Sequence, residues 1–233
     1  MKILCTVCVR AGSKGLRDKN FLKINNKYLL SYTLDVAKKS KVFDQIIVST
    51  DSKKIRSLKK KYKDIEFIKR PKNLATDSAN KMDAIRHATK FSENKIKSKY
   101  DLIFDLDATS ALRSPIDIKN ALKVFTLNKA DNLFSVNESR RNPYFNIVEK
   151  KNGRVRIIKK LKKYVIRRQN APKTYDMNAS IYIWKRNILM TSNSLFRKKT
   201  EIYVMDIQRS IDVDNKFDLI LIKNLIKNKV KSI

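Results

Sequence analysis

Glycine, proline, cysteine and histidine are all scarce in this 233-residue chain, which holds three, four, two and one of them. So little glycine and proline excludes a flexible low-complexity linker, and no internal repeat is present. No apolar run approaches the roughly 20 residues needed to cross a membrane. The strand-like start, Lys2 to Val9, is too short for the apolar region and cleavage site of a signal peptide, and Arg10 interrupts it. The expected location is therefore the cytoplasm, with no membrane partner. The two cysteines, Cys5 and Cys8, have a C-x-x-C spacing. Redox pairs of that spacing sit at a helix N-terminus, where the dipole lowers the thiol pKa, whereas these two lie inside a predicted strand on opposite faces. With no second pair, and His87 the only histidine, a zinc site lacks ligands. The thiols read as buried and inert.

What is present is apolar residue and positive charge. A 42% hydrophobic fraction supports a packed interior, and the length suits one α/β domain and is short for two. The formal net charge is +32. Such a charge suits nucleic acid, a membrane surface or anionic ligands. It equally reflects a chain rich in Lys, Asn and Ile, since the lysines are spread along its whole length rather than gathered in a tail or stripe. No specific nucleic-acid partner is expected.

Strand and helix patterns alternate. Ile3 to Val9, Gln45 to Ser49, Ile65 to Ile68 and Leu102 to Leu106 read as buried strands. Leu29, Leu30, Thr33, Leu34 and Ala37 mark one helix face; Ile55, Leu58 and Tyr62 mark the next, capped by Asp51 or Ser52. Met82, Ile85 and Ala88 mark a third. Ser114-Pro115 reads as an N-cap with Pro at the first helical position, ahead of Ile118, Ala121, Leu122 and Phe125. Such units imply a mostly parallel sheet with helices on both sides, and sites at the carboxyl ends of its strands. After Val136 the rhythm breaks. The polar, basic stretch from Glu138 to Tyr175 reads as an inserted arm with short strands at Phe145–Val148 and Val155–Ile158. Regular structure returns at Ser180–Trp184 and Ile202–Met205. A last helix from about Asn215 to Ile226 would turn Phe217, Ile220, Leu221 and Leu225 inward.

The first strand runs into Arg10-Ala11-Gly12-Ser13-Lys14-Gly15-Leu16, followed by Lys19-Asn20. Glycines let a backbone turn tightly and aim amides at an anion, and Arg10, Lys14 and Lys19 could neutralise a triphosphate. The spacing is neither a Walker A loop nor a dinucleotide fingerprint.

That stretch resembles the nucleotide-binding signature of CMP-sialic acid synthetases (acylneuraminate cytidylyltransferases). The resemblance continues in order: Ile47-Val48-Ser49-Thr50-Asp51; Arg70-Pro71 with Leu74-Ala75-Thr76-Asp77; Thr109-Ser110-Ala111-Leu112-Arg113; and Ser210-Ile211-Asp212-Val213-Asp214. It implies a three-layer α/β/α Rossmann-like nucleotidyltransferase fold spanning 1–233 as one domain, with 138–175 as a dimerisation and sugar-binding arm. It further implies transfer of CMP from CTP to the anomeric hydroxyl of a sialic-acid-like 2-keto-3-deoxy sugar acid, with release of pyrophosphate, for surface glycan synthesis. A homodimer with shared sites follows from the same resemblance.

Site residues follow from it too. Arg10, Ala11, Ser13, Lys14, Gly15 and Lys19 take the phosphates, with Asn20 near the nucleoside and Asp77 in the nucleotide site. Arg70 matches the arginine that reads cytosine, whose O2 and N3 suit a donor-only side chain; without the resemblance it reads as a surface arginine beside a Pro turn. Asp212 and Asp214 match a metal-binding pair. Carboxylates at i and i+2 of an extended segment point to one side, and hard oxygens suit Mg²⁺. On their own, Asp214 reads as a helix cap and Asp212 as solvated. Arg168, Gln169 and Asn178 match the sugar region, with Asp107, Thr109 and Ser110 beside it. Arg10, Lys14, Lys19 and Asp212 carry the catalytic charge neutralisation. Asp107 reads either as a contact to the acceptor or as a polar strand-end residue.

The sequence departs from the family on the sugar side. Asp107-Ala108-Thr109-Ser110-Ala111 replaces Gln-Pro-Thr-Ser-Pro, and Asn80-Lys81 stand where small hydroxyl residues are usual. Phe145 and Asp176 align with a lysine and an arginine of the family. The Asp105-Leu106-Asp107-Ala108-Thr109-Ser110 and Tyr175-Asp176-Met177-Asn178-Ala179-Ser180 segments look more like cytidylyltransferases for legionaminate-type sugars. Other readings are a 3-deoxy-octulosonate cytidylyltransferase, a degenerate nucleotidyltransferase that only binds, and a basic nucleic-acid-binding domain; the intact Arg10, Lys19, Asp212 and Asp214 argue against degeneracy.

Overall fold

A computed structural model describes residues 1–12, 16, 18–163 and 165–228. In chain order the elements are β1 (Ile3–Cys8), a small ribbon of β2 (Lys23–Ile24) and β3 (Lys27–Tyr28), α1 (Leu29–Ser40), β4 (Gln45–Thr50), α2 (Arg56–Lys61), β5 (Glu66–Lys69), α3 (Lys81–Ile96), β6 (Leu102–Leu106), α4 (Pro115–Leu127), β7 (Asn132–Glu138), a hairpin of β8 (Val148–Lys151) and β9 (Arg154–Ile157), β10 (Tyr175–Lys185), α5 (Arg186–Thr191), β11 (Thr200–Val204) and α6 (Lys216–Lys227). Seven strands form one sheet in the order β11-β7-β10-β6-β1-β4-β5. β1 runs parallel to β4 and β6, β4 to β5, and β7 to β11, while β10 is antiparallel to both its neighbours.

Alternation along the strands sends side chains into two layers. Cys5, Val7 and Val48 pack with Leu30, Leu34, Leu58, Ile118 and Phe125, so α1, α2 and α4 cover one face. Leu4, Ile47 and Ile103 pack with Met82, Ile85 and Leu189, so α3 and α5 cover the other. Fully burying each such side chain contributes roughly 1.5–3 kcal/mol. The cysteines follow the alternation, Cys5 in the first layer and Cys8 against the second.

The helices start where their caps stand. Asn80 Oδ1 accepts from Met82 N at 2.9 Å to open α3. The backbone N and Oγ of Ser114 donate to Asp117 Oδ2 at 2.8 and 2.9 Å at the start of α4. Such caps stabilise by about 1 kcal/mol each. Ser52 caps the short turn ahead of α2, accepting from Lys54 N, while Asp51 accepts from Ala11 N at 2.8 Å and so ties the first loop to β4.

Two expectations are corrected. Phe217 and Ile220 are 72% and 59% exposed; α6 instead turns Leu219, Ile222 and Ile226 inward against Ile24 and Leu29. Its apolar residues form two overlapping stripes, and docking over the β2–β3 ribbon selects one of them. In the arm, Phe145–Ile147 do not form a strand, because their amides donate to the Asn142 carbonyl in a tight turn. The hairpin lies further on, closed by Asn152 and Gly153, both at positive φ (52° and 74°), as a two-residue turn between twisted strands requires. Among the described residues no helix is long and apolar enough to cross a membrane.

Candidate active site

The loops that leave the carboxyl ends of β1, β5 and β6 meet the 205–215 segment around a cleft of about 700 Å³. This is where a parallel sheet places ligands. One wall is cationic. Arg10 pairs with Asp77, and Lys19 Nζ lies 2.7 Å from Asp214 Oδ1. Arg70 is buried at the end of β5, its Nη donating to the Ser49 carbonyl at 3.0 Å and its Nε to Ser49 Oγ at 3.3 Å.

Carboxylates share the cleft with these cations. Asp212, Asp214 and Asp107 all line the cleft. Burial, with Asp214 and Asp107 adding like charge, pushes the Asp212 carboxyl up to about 6. Among the described residues no group of three or more His, Cys, Asp or Glu is gathered closely enough to hold a metal by itself. The crowding of negative charge on Asp212 is nevertheless what a hard divalent cation relieves, provided a ligand supplies further oxygens. The segment that carries Asp212 is anchored from behind. Fully buried Asp117 accepts from Tyr203 OH at 3.1 Å and from Arg209 Nε, and Val213 N donates to the Thr109 carbonyl at 3.3 Å.

The floor towards α3 holds a tighter network. Asp107 Oδ1 accepts from Thr109 N and Oγ1 at 3.0 and 2.8 Å. Lys81 Nζ lies 3.1 Å from Asp107 Oδ2 and 2.9 Å from Asp105 Oδ2. Burial works against Asp107 ionising, but Lys81 and the Thr109 donors outweigh it and hold the carboxyl well below the usual range. Beneath lies Arg113, 2% exposed, donating to the carbonyls of Ser180 and Asp107 and to Thr33 Oγ1; burial brings its guanidinium down to about 10. Cys8 reaches the cleft edge, but burial and Asp105 push its thiol up to about 12, so it stays a neutral thiol.

Of the residues singled out in the sequence, Arg10, Lys19, Asn20, Arg70, Asp77, Asp107, Thr109, Asp212 and Asp214 come together in this cleft. Ala11 sits at its approach, bonded to Asp51. Ser13, Lys14 and Gly15 lie outside the described residues. Ser110 is 1% exposed and behind the wall. Asn178 is a buried strut, its Oδ1 accepting from Ser135 Oγ and its Nδ2 donating to Ser210 Oγ. Arg168 and Gln169 line a separate cavity of about 360 Å³ between β7 and the arm, where Arg168 donates to the Ser139 carbonyl. His87 stays off the cleft; burial, then Arg70, lower its pKa. Lys81, which the sequence marks only as a departure on the sugar side, and Ala179, to which it gives no role of its own, also line the cleft. Lys81 carried a signal, since it departs from the family's small residue just after a helix cap. Ala179 carried none: its φ of +53° is visible only in three dimensions.

A family model described as cytidylyltransferase matches residues 4–230. The chain is 43% identical over 228 residues to a CMP-N,N'-diacetyllegionaminic acid synthase of Campylobacter jejuni, with 98% of this chain and 96% of that protein covered. It is 31% identical over 228 residues to an N-acylneuraminate cytidylyltransferase of Escherichia coli, covering 93% of this chain and 50% of that longer protein. Among solved structures, a CMP:2-keto-3-deoxy-manno-octonic acid synthetase complexed with CTP matches with a TM-score of 0.69 at 14% identity, covering 99% of this chain and all of that one. At that identity the likeness is one of fold.

Proposed function

We propose that this chain, which belongs to the cytidylyltransferase family, transfers CMP from CTP to the anomeric hydroxyl of a nonulosonic sugar acid. The acceptor we favour is of the N,N'-diacetyllegionaminic type, after the relative that is 43% identical along nearly its full length. The observation that carries the reading is one cleft at the strand ends that gathers Arg10, Lys19 and Arg70 with Asp212 and Asp214, Lys19 and Asp214 meeting at 2.7 Å. That is the charge layout a nucleoside triphosphate and its counter-ion need.

In the reaction the anomeric hydroxyl gives up its proton to water, its oxygen bonds to the α-phosphorus, the bond from that phosphorus to the bridging oxygen breaks, and pyrophosphate leaves. The protein's work is positioning and charge neutralisation. Arg10 and Lys19, partly exposed and each already facing a carboxylate, can turn their donors to the phosphates. Arg70, fixed by Ser49, presents donors to the cytosine edge. Asp212 and Asp214 would hold Mg²⁺, which when bound supplies charge neutralisation to the phosphate oxygens. Asp107 anchors rather than accepts a proton: its oxygens are engaged and its low pKa makes it a weak base.

We also propose a cytoplasmic homodimer. The arm exposes Val148, Val155, Ile158 and Ile166, which a second copy would cover, and such a copy would bring Arg168 toward a neighbouring cleft. The decisive assay is pyrophosphate release from CTP and Mg²⁺ with N,N'-diacetyllegionaminic, N-acetylneuraminic and pseudaminic acids, with particle mass read by light scattering. Release with one acid is expected. No release with any of them would sink the reading.

A further inference from the structure

Near its end, β6 carries a fully buried charge. The strand reads Leu-Ile-Phe-Asp-Leu and is buried throughout, with Asp105 at 0% exposure. Its Oδ1 accepts from Thr6 Oγ1 at 2.8 Å, but the cation that answers its charge is Lys81, reaching in from the first residue of α3. Burying an ion pair seldom stabilises more than a well-packed apolar pair of the same size. The arrangement does have one further consequence. Between Asp105 and Asp107, and 5.3 Å from the centre of the Tyr182 ring, the Lys81 ammonium has a fixed position. Its side chain remains 38% exposed, and it lines both the main cleft and an adjoining cavity of about 250 Å³. That side cavity is mostly apolar, with Met82, Ile85, Tyr182 and Trp184 in its walls and Asn80 and Asn193 at its polar edge.

We infer that Lys81 is a specificity-determining residue, offering a fixed hydrogen-bond donor to the carbonyl oxygen of the second acylamido substituent of a doubly acylated acceptor sugar, the one that N-acetylneuraminic acid lacks, with Asp105 as its positioning residue. The inference rests on the CMP-transfer reading and refines it. An ammonium carries three donors; one is hydrogen-bonded to Asp107 and the group meets Asp105 as an ion pair, which leaves donor capacity for a ligand. The triad of one cation and two carboxylates has a net charge of −1, so it repels the acid's own carboxylate and accepts a neutral oxygen. An acylamido group matches the cavity beyond it, its methyl group suited to the apolar walls and its carbonyl to Lys81.

The test compares wild type with Lys81→Met/Asp105→Asn, which removes both charges together, so no orphaned ion is left in the core, and keeps an acceptor for Thr6. Lys81→Met alone serves as the harsher second variant. KM for CTP, and kcat/KM for N,N'-diacetyllegionaminic and N-acetylneuraminic acids, are measured by pyrophosphate release. The wild type should favour the doubly acylated acid. In the double variant that preference should fall about tenfold or more, as loss of a charged hydrogen bond implies, while KM for CTP stays within about twofold. An unchanged preference in the folded double variant, or an equal loss with both acids, would overturn the inference. If the wild type releases pyrophosphate with no acid, the CMP-transfer reading fails first, and this inference falls with it.

Discussion

The two halves of the cleft are built on opposite plans. On the side proposed for the nucleotide phosphates the charges are paired loosely and near solvent: Arg10 and its partner Asp77 are 33% and 46% exposed, and Lys19 meets an Asp214 that is 67% exposed. On the side proposed for the acceptor the charges are locked. Asp105 and Arg113 are almost fully buried, Asp107 is bonded at both oxygens, and Lys81 is clamped between two carboxylates. A side that must take and release a triphosphate needs cations whose present partners are cheap to leave, and exposed pairs are worth under about 1 kcal/mol. A side that must discriminate between similar sugars needs donors that do not move.

Substitutions can break this contrast. The largest effect is expected from Asp212→Ala, which should lower kcat about a thousandfold or more, by analogy with loss of a transition-state electrostatic contact. Equilibrium dialysis with CTP in the absence of metal should still show binding. Next comes Arg113→Met. It removes the buried hydrogen bonds from Arg113 to Ser180, Thr33 and the Asp107 carbonyl and should cost about 2–4 kcal/mol in denaturant unfolding. A variant as stable as wild type would show that the acceptor side is less rigid than its bonding implies. Lys19→Met should raise KM for CTP about tenfold with little loss of stability, because its partner is already solvated; a large drop in melting temperature would erase the distinction between the halves.

A pair away from the cleft serves as the control. Burial would raise Glu93, but the hydrogen bonds from Arg186 at 2.6 and 2.8 Å and from Tyr100 N lower its pKa below 4.5. A depressed folded pKa means that the stabilisation is present above about pH 4.5 and lost as pH falls through the folded value. Glu93→Gln should therefore flatten the acid limb of the stability curve by roughly 1–2 kcal/mol and leave turnover near neutral pH unchanged. The smallest effect is expected at Ala179, which lines the cleft in a left-handed conformation with φ +53°. Ala179→Gly removes a steric cost of about 1–2 kcal/mol and returns part of it as unfolded-chain entropy, so melting temperature should rise slightly or hold, and a fall would show that the Ala179 methyl group packs usefully.

Much of this was legible in the residues themselves. Strands β1, β4 and β6, the buried faces of α1 and α3, and the Ser114 helix start follow from local period and capping chemistry, which act within a few residues. The family motifs located both sides of the cleft, because each motif is a local loop at a strand end. What local pattern could not decide was anything that depends on a distant partner. α6 carries two apolar stripes, and only contact with Ile24 and Leu29 chooses between them. Asn178, near the sugar motif in sequence, is turned into the core by Ser135 and Ser210. Asp105 looks like an error in an apolar strand until α3 brings Lys81 over it from 24 residues earlier. Sequence by itself determined the elements, their layers and the chemistry of the loops; tertiary structure decided which charges meet, because an ion pair depends on a few ångströms across elements that no local pattern encodes.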